Sequence, residues 1–158
     1  MKIRKLTPEN DGKVAALLRQ AFPKGDQEAR LVERLRQNKR LTHEWVGIHT
    51  NRVIAYIAFS RAYNGAEVCG LHLGPMAVTP DLQRQGVGSE LLRFALRQEE
   101  IKSAAIFVLG APGFFQRFGF APCATVVSPR AKKSSHFLCL RHAATEPFSV
   151  RYEPEFAQ

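Results

Sequence analysis

The sequence predicts one mixed α/β domain of the α+β type, and three features predict it. The first 40 residues carry helical spacing, residues 45–78 carry strand and turn signals in alternation, and residues 104–109 form a continuous apolar run. At 158 residues the chain has the length of one domain and can bury a full core. No internal repeat, low-complexity tract or linker divides it, so residues 1–158 are read as a single unit.

Ile3 and Leu6 mark a short first strand. Thr7 reads as a helix N-cap with Pro8 at the first helical position, since proline's fixed φ suits that site. Val14, Leu17, Leu18 and Phe22 follow at helical spacing until Pro23-Lys24-Gly25 stops the helix. Asp26 can cap a second helix that carries Leu31, Val32 and Leu35 as its apolar stripe and runs to about Arg40. Residues 45–49 and 53–59 read as a hairpin around Thr50-Asn51. After the Tyr63-Asn64-Gly65 turn, a third strand runs from Glu67 to Val78, where Gly74-Pro75 predicts a bulge because proline supplies no ladder N–H. Val87, Leu91, Leu92, Ala95 and Leu96 form the buried face of a third helix. Ala104 to Leu109 reads as a strand buried on both faces, and Phe114 to Phe118 as a short helix ended by Gly119. Val126-Val127 and residues 136–140 are two further strands joined by a basic turn, and Val150 and Tyr152 lie in an extended tail.

The bulk numbers narrow the function classes. The formal net charge of +9 favours anionic partners such as nucleotide cofactors, nucleic acid or acidic proteins, and fits a solvated basic surface equally. Three cysteines without C-x-x-C spacing fit reduced thiols, and no stretch reaches the roughly 18 apolar residues of a membrane span. A soluble, cytoplasmic protein is expected.

The chemistry concentrates in Gln83-Arg84-Gln85-Gly86-Val87-Gly88-Ser89, which joins a strand to a helix. Two glycines two apart let the backbone pass close to a ligand, and the helix start adds N–H groups and a positive dipole end. Arg84 adds charge and Ser89 a hydroxyl, a combination that suits a pyrophosphate. The loop alone also fits a tight strand-to-helix packing turn. It lacks the G-x-x-x-x-G-K-[ST] pattern of nucleotide triphosphatases, and no G-x-G-x-x-G opens a βαβ unit near the N-terminus.

Gln83, Gly86 and Gly88 after Leu73-Gly74-Pro75-Met76-Ala77-Val78, followed by Phe115-Gln116-Arg117-Phe118-Gly119-Phe120, resemble the two central motifs of the GCN5-related N-acetyltransferase (GNAT) superfamily. The wording is closest to the YhbS-like subgroup. The resemblance implies a mostly antiparallel mixed sheet of six to seven strands, splayed at a central parallel pair and flanked by about four helices. It implies acetyl-CoA as cosubstrate, no metal, and N-acetyl transfer to a primary amine of a small molecule or protein, by a monomer or homodimer. Met76, Ala77 and Val78 would line the pantetheine, with the Met76 N–H also facing the oxyanion. The N–H groups of Arg84, Gln85, Gly86, Val87, Gly88 and Ser89 would take the pyrophosphate. Phe115 would wall the cofactor, and it stands where the family's usual proton donor is a tyrosine. An acyl-CoA-binding sensor that has lost its general acid is therefore the rival reading; a basic nucleic-acid-binding domain is a third, without a recognition motif to support it.

Several residues carry two readings. His72, on the strand before the bulge, is the candidate base or a satisfied strand histidine, and Glu67 is a second candidate or a solvated charge. Cys69 reads as a small core residue, and Cys139-x-x-His142 as half a metal site with no second pair. Arg130, Lys132 and Lys133 could meet a phosphate or lie in a solvated loop. Acceptor contacts are expected from the loops at residues 22–26 and 128–135.

Overall fold

The structure is a computed structural model that describes residues 1–24, 26–131 and 134–157. Strand β1 (Lys2–Lys5) leads through a 3-10 turn, Pro8–Asn10, into helix α1 (Asp11–Ala21), and helix α2 (Gln27–Gln37) follows. The chain then builds β2 (Leu41–His49), β3 (Arg52–Asn64) and β4 (Glu67–Val78) as an antiparallel meander. Helix α3 (Val87–Leu96) precedes β5 (Ile106–Leu109) and a short helix α4 (Pro112–Phe115). Four strands complete the fold: β6 (Ala121–Pro122), β7 (Val126–Val127), β8 (Phe137–Leu140) and β9 (Phe148–Tyr152).

The sheet runs β1-β2-β3-β4-β5-β8-β6, seven strands on one path, with β9 pairing both β3 and β7. Its central pair, β4 and β5, is parallel and registers only at Leu71↔Ile106 and His72↔Phe107. Beyond His72 the two strands part, which gives the expected splay. At the same point Ile57↔Met76 and Phe59↔Leu73 set two steps of β3 against three of β4, so the bulge expected at Gly74-Pro75 is present. The alternation of β4 sends Leu71 and Leu73 to the α3 face, where they pack with Ile57, Ile106 and Leu91. The other face carries α1 and α2 over Tyr56, Ala58 and Ala77.

Several boundaries differ from the sequence reading. Helix α2 ends at Gln37, three residues short of Arg40, because Lys39 turns to φ 56° and the Arg40 N–H bonds back to the Leu35 carbonyl. Strand β2 starts at Leu41: its polar Glu44 is held inside by Arg36 and by the Tyr56 hydroxyl, each at 2.6 Å. The β2–β3 hairpin turns on Thr50 and Asn51, both at positive φ as a two-residue turn of matching twist requires. Strand β3 continues past Phe59 to Asn64 because β9 takes over the edge that β2 leaves. Strands β7 and β8 do not pair with each other: β8 pairs β5 and β6, and β7 pairs β9.

The cysteines require a correction. Cys123 and Cys139, read as separate reduced thiols, are neighbours at disulfide range with their Cα atoms 5.9 Å apart, and Cys69 is free. Sixteen residues of sequence separation hid the pairing, which follows from β6 lying against β8. Among the described residues no helix is long and apolar enough to cross a membrane.

Candidate active site

The parting of β4 and β5 opens a cavity of about 570 Å³. The β4 stretch Met76, Ala77 and Val78 forms one wall, and Ala111, Phe114, Phe115 and Arg117 form the wall after β5. Leu82, Gln83, Arg84, Gly86, Gly88 and Ser89 close the end at the start of α3. Arg84 and Arg117 are the only charged groups among these lining residues, so the field at this end favours an anion.

The loop before α3 owes its shape to local backbone conformation. Arg84 and Gly86 both adopt left-handed φ, 65° and 85°, while the Gln83 side-chain amide donates to the Val78 carbonyl at 3.0 Å and ties the loop to the strand. Gly86 is the N-cap of α3, and the first intrahelical bond runs from the Glu90 N–H to the Gly86 carbonyl. The N–H groups of the turn before Glu90 therefore precede the helix ladder, and together with the helix dipole they have the geometry of an anion cradle. A Cβ on Gly86 would meet open space, so the backbone there is uncovered. A Cβ on Gly88 would come within 3.4 Å of Val78 and 3.5 Å of Met76, which shows how closely helix and strand approach.

Eight of the sequence-derived candidates meet in the cavity: Met76, Ala77, Val78, Arg84, Gly86, Gly88, Ser89 and Phe115. Two do not line it. The Gln85 amide donates to the Asp81 carbonyl at 3.3 Å, and Val87 packs on the α3-side core, so each can contribute only backbone. Arg117 was missed. Its guanidinium donates to the Ser89 hydroxyl at 3.0 Å and lies 5.2 Å from the Phe114 ring centre, which holds a cation across the cradle from Arg84. A basic residue inside an aromatic run was the available signal, but only the α3–α4 juxtaposition gives it a target.

His72 lies outside the cavity lining, on the opposite face of β4. Its ring stacks on Tyr152 at 3.7 Å and meets the Phe156 edge at 4.5 Å. Burial, with the Arg130 charge in support, depresses its pKa to about 3. The expectation of a general base thus meets a ring that stays neutral and holds a proton poorly at neutral pH. Its Nδ1, the Ser60 Oγ registered opposite it and the Tyr152 hydroxyl are buried without a protein hydrogen-bond partner. Glu67 is exposed at the strand start, and Cys69 packs at the edge of the Phe107–Tyr152 cluster. Lys132, Lys133 and Gly25 lie outside the described residues, so the acceptor-loop expectations are only partly placed; Arg130 is exposed.

Residues 40–122 match the family described as Acetyltransferase (GNAT) domain. The chain is 35% identical over 123 residues to the uncharacterized N-acetyltransferase YhbS of Escherichia coli K12, covering 76% of this chain and 73% of that one. The crystal structure of Escherichia coli YhbS in complex with CoA superposes with a TM-score of 0.91 at 30% identity, over 99% of this chain and 92% of that one. A GNAT family acetyltransferase from Brucella melitensis in complex with acetyl-CoA gives 0.82 at 30% identity, over 98% and 97%.

Proposed function

The chain belongs to the GNAT acetyltransferase family, and from that premise we propose that it transfers the acetyl group of acetyl-CoA to a primary amine of a small molecule or protein in the cytoplasm. The observation that carries this reading is the cavity at the splay, with its uncovered Gly86 backbone, the start of α3 and two arginines at one end. Those groups suit the pyrophosphate of the coenzyme, and the edge of β4 at Met76–Val78 suits the amides of its pantetheine arm by strand-like pairing. Acetyl-CoA supplies an activated thioester. The chain holds it at the splay, where the Met76 N–H is the proposed donor to the carbonyl oxygen. The amine must arrive neutral, and its nitrogen bonds to the acetyl carbon as the carbon–sulfur bond breaks. Its proton passes to water, since the described lining of the cavity carries no carboxylate, histidine or tyrosine. Phe115 has no proton to give, so the departing sulfur leaves as thiolate, tolerable for a group whose kind ionises near pH 8.5.

A thermal-shift titration tests the site. At a hundredfold excess over Kd, acetyl-CoA should stabilise the native state by about 2.7 kcal/mol, roughly 5–10 °C for a domain of this size. Gly86→Glu, which places a carboxylate in the cradle, should abolish the shift. An unshifted wild-type protein would sink the reading. The hydroxyl-free Phe115 favours one rival, an acyl-CoA-binding sensor, which predicts the same shift but no release of free thiol with any amine.

A further inference from the structure

We infer that Cys123 and Cys139 form a reversible dithiol–disulfide site, with His142 as the proton acceptor beside it and low-molecular-weight disulfides as its oxidant. The acetyl-transfer reading is not required for this. Cys139 lies in β8 with β5 on one side and β6 on the other, 4% exposed, while Cys123 follows β6 and is only partly buried. Their Cα separation of 5.9 Å falls within the range a disulfide spans without moving the backbone. A ring nitrogen of His142 lies within 4.8 Å of both sulfurs, and its Nδ1 is buried without a hydrogen-bond partner. The turn that delivers it is fixed: Arg141 takes φ 58°, and its guanidinium donates to the carbonyls of Ile101 and Ala104 at 3.0 Å each. That anchoring fixes the next residue, and the His142 imidazole, with a free lone pair beside both sulfurs, is the group placed to accept a thiol proton.

The accessible Cys123 reacts first. Its thiolate attacks a disulfide RSSR, forming a mixed disulfide and releasing RS⁻. Cys139 then loses its proton to the imidazole or solvent and attacks the Cys123 sulfur, which expels the second RS⁻. The protein gives up two electrons and two protons, and one RSSR becomes two RSH. The bond links the chain leaving the Phe115–Phe120 wall to β8, and in a reducing cytoplasm it would form only when that poise is lost.

The full chain, reduced and then exposed to rising ratios of oxidised glutathione, is denatured, alkylated and weighed intact. The reduced protein should take three alkyl groups and the oxidised protein one, on Cys69, with the Cys123 and Cys139 peptides joined. Oxidation should raise the melting temperature by roughly 5–10 °C, and Cys123→Ser should show no such rise. His142→Ala should slow oxidation several-fold at pH 7 but not at pH 9, where thiols ionise unaided, a pattern that a merely structural histidine would not give. Three alkyl groups at every ratio would overturn the proposal. So would a stable glutathione adduct on one cysteine, or stoichiometric zinc held by the reduced protein and lost in Cys123→Ser.

Discussion

Phe115 packs edge-on to Phe114 at 5.0 Å and to Phe120 at 5.5 Å, and it is only 8% exposed. Gly110 permits that position, since a Cβ there would come within 2.5 Å of the ring. The ring lines the cavity, so a para hydroxyl on the same scaffold would be carried with it. Phe115→Tyr should therefore restore a proton donor near the leaving sulfur. We expect kcat for acetyl transfer to rise several-fold, toward the ~10²-fold lower end of acid–base effects, with the KM for acetyl-CoA little changed. Free-thiol release against a panel of amines measures it. An unchanged kcat would mean that proton delivery does not limit the rate.

At the scale of elements, the C-terminal segment closes the face opposite α3. Strand β9 continues the edge beyond β2, and the turn Pro154–Ala157 brings Phe156 against His72. Two carboxylates hold it. Glu153, 2% exposed, accepts from the Tyr63 hydroxyl at 2.9 Å and lies 3.8 and 3.7 Å from Arg40 and Arg61. Glu155 accepts from Asn38 at 2.7 Å and from the Arg40 Nε at 3.3 Å. These bonds tie the last residues to the loop after α2, a link no local pattern encodes. Glu153→Ala strands Tyr63 and leaves Arg61 without its counter-charge, while Arg40 keeps only Glu155. We expect a loss of about 2–4 kcal/mol, read from urea unfolding, with Glu153→Gln retaining part of it. A loss under about 0.5 kcal/mol would show that the segment is held by packing alone.

For the whole molecule, the buried His72 makes stability depend on acid. Its folded pKa of about 3 lies below the ordinary 6.5, so the unfolded chain binds the proton more readily. The stability from keeping this ring neutral is full above pH 6.5 and is lost as pH falls toward about 3, at up to about 1.4 kcal/mol per pH unit. The Asp81 carboxylate, held well below its usual range by Arg52 and the Thr79 hydroxyl, adds a separate loss only below its unfolded value of 3.8. Arg130 is the charge that reaches His72, and Tyr152 and Phe156 cover its ring. In His72→Phe, urea midpoints should fall much less steeply between pH 6.5 and 4.5 than in the wild type, the remaining slope belonging to His43, whose burial also lowers its pKa. An equal slope in both proteins would refute the assignment.

Features whose causes are local were legible in the sequence. Gly86 and Gly88 ahead of an amphipathic helix, Gly74-Pro75 in a strand, and Thr50-Asn51 between alternating runs each fix the backbone within a few residues, and each stands where it was read. The apolar period of α1 and α3 likewise announced their buried faces, and that of α2 did so except that Ala29, not Leu31, joins Val32 and Leu35 in the core. The tertiary structure set what depends on long-range pairing. It carried β2 back to Leu41 by satisfying Glu44, set Arg117 against Ser89, and closed Cys123 on Cys139. It also stacked His72 between two C-terminal aromatics, where desolvation changes what the ring can do. Backbone conformation is set by near neighbours, whereas burial, charge pairing and proton affinity are set by whatever the fold brings alongside.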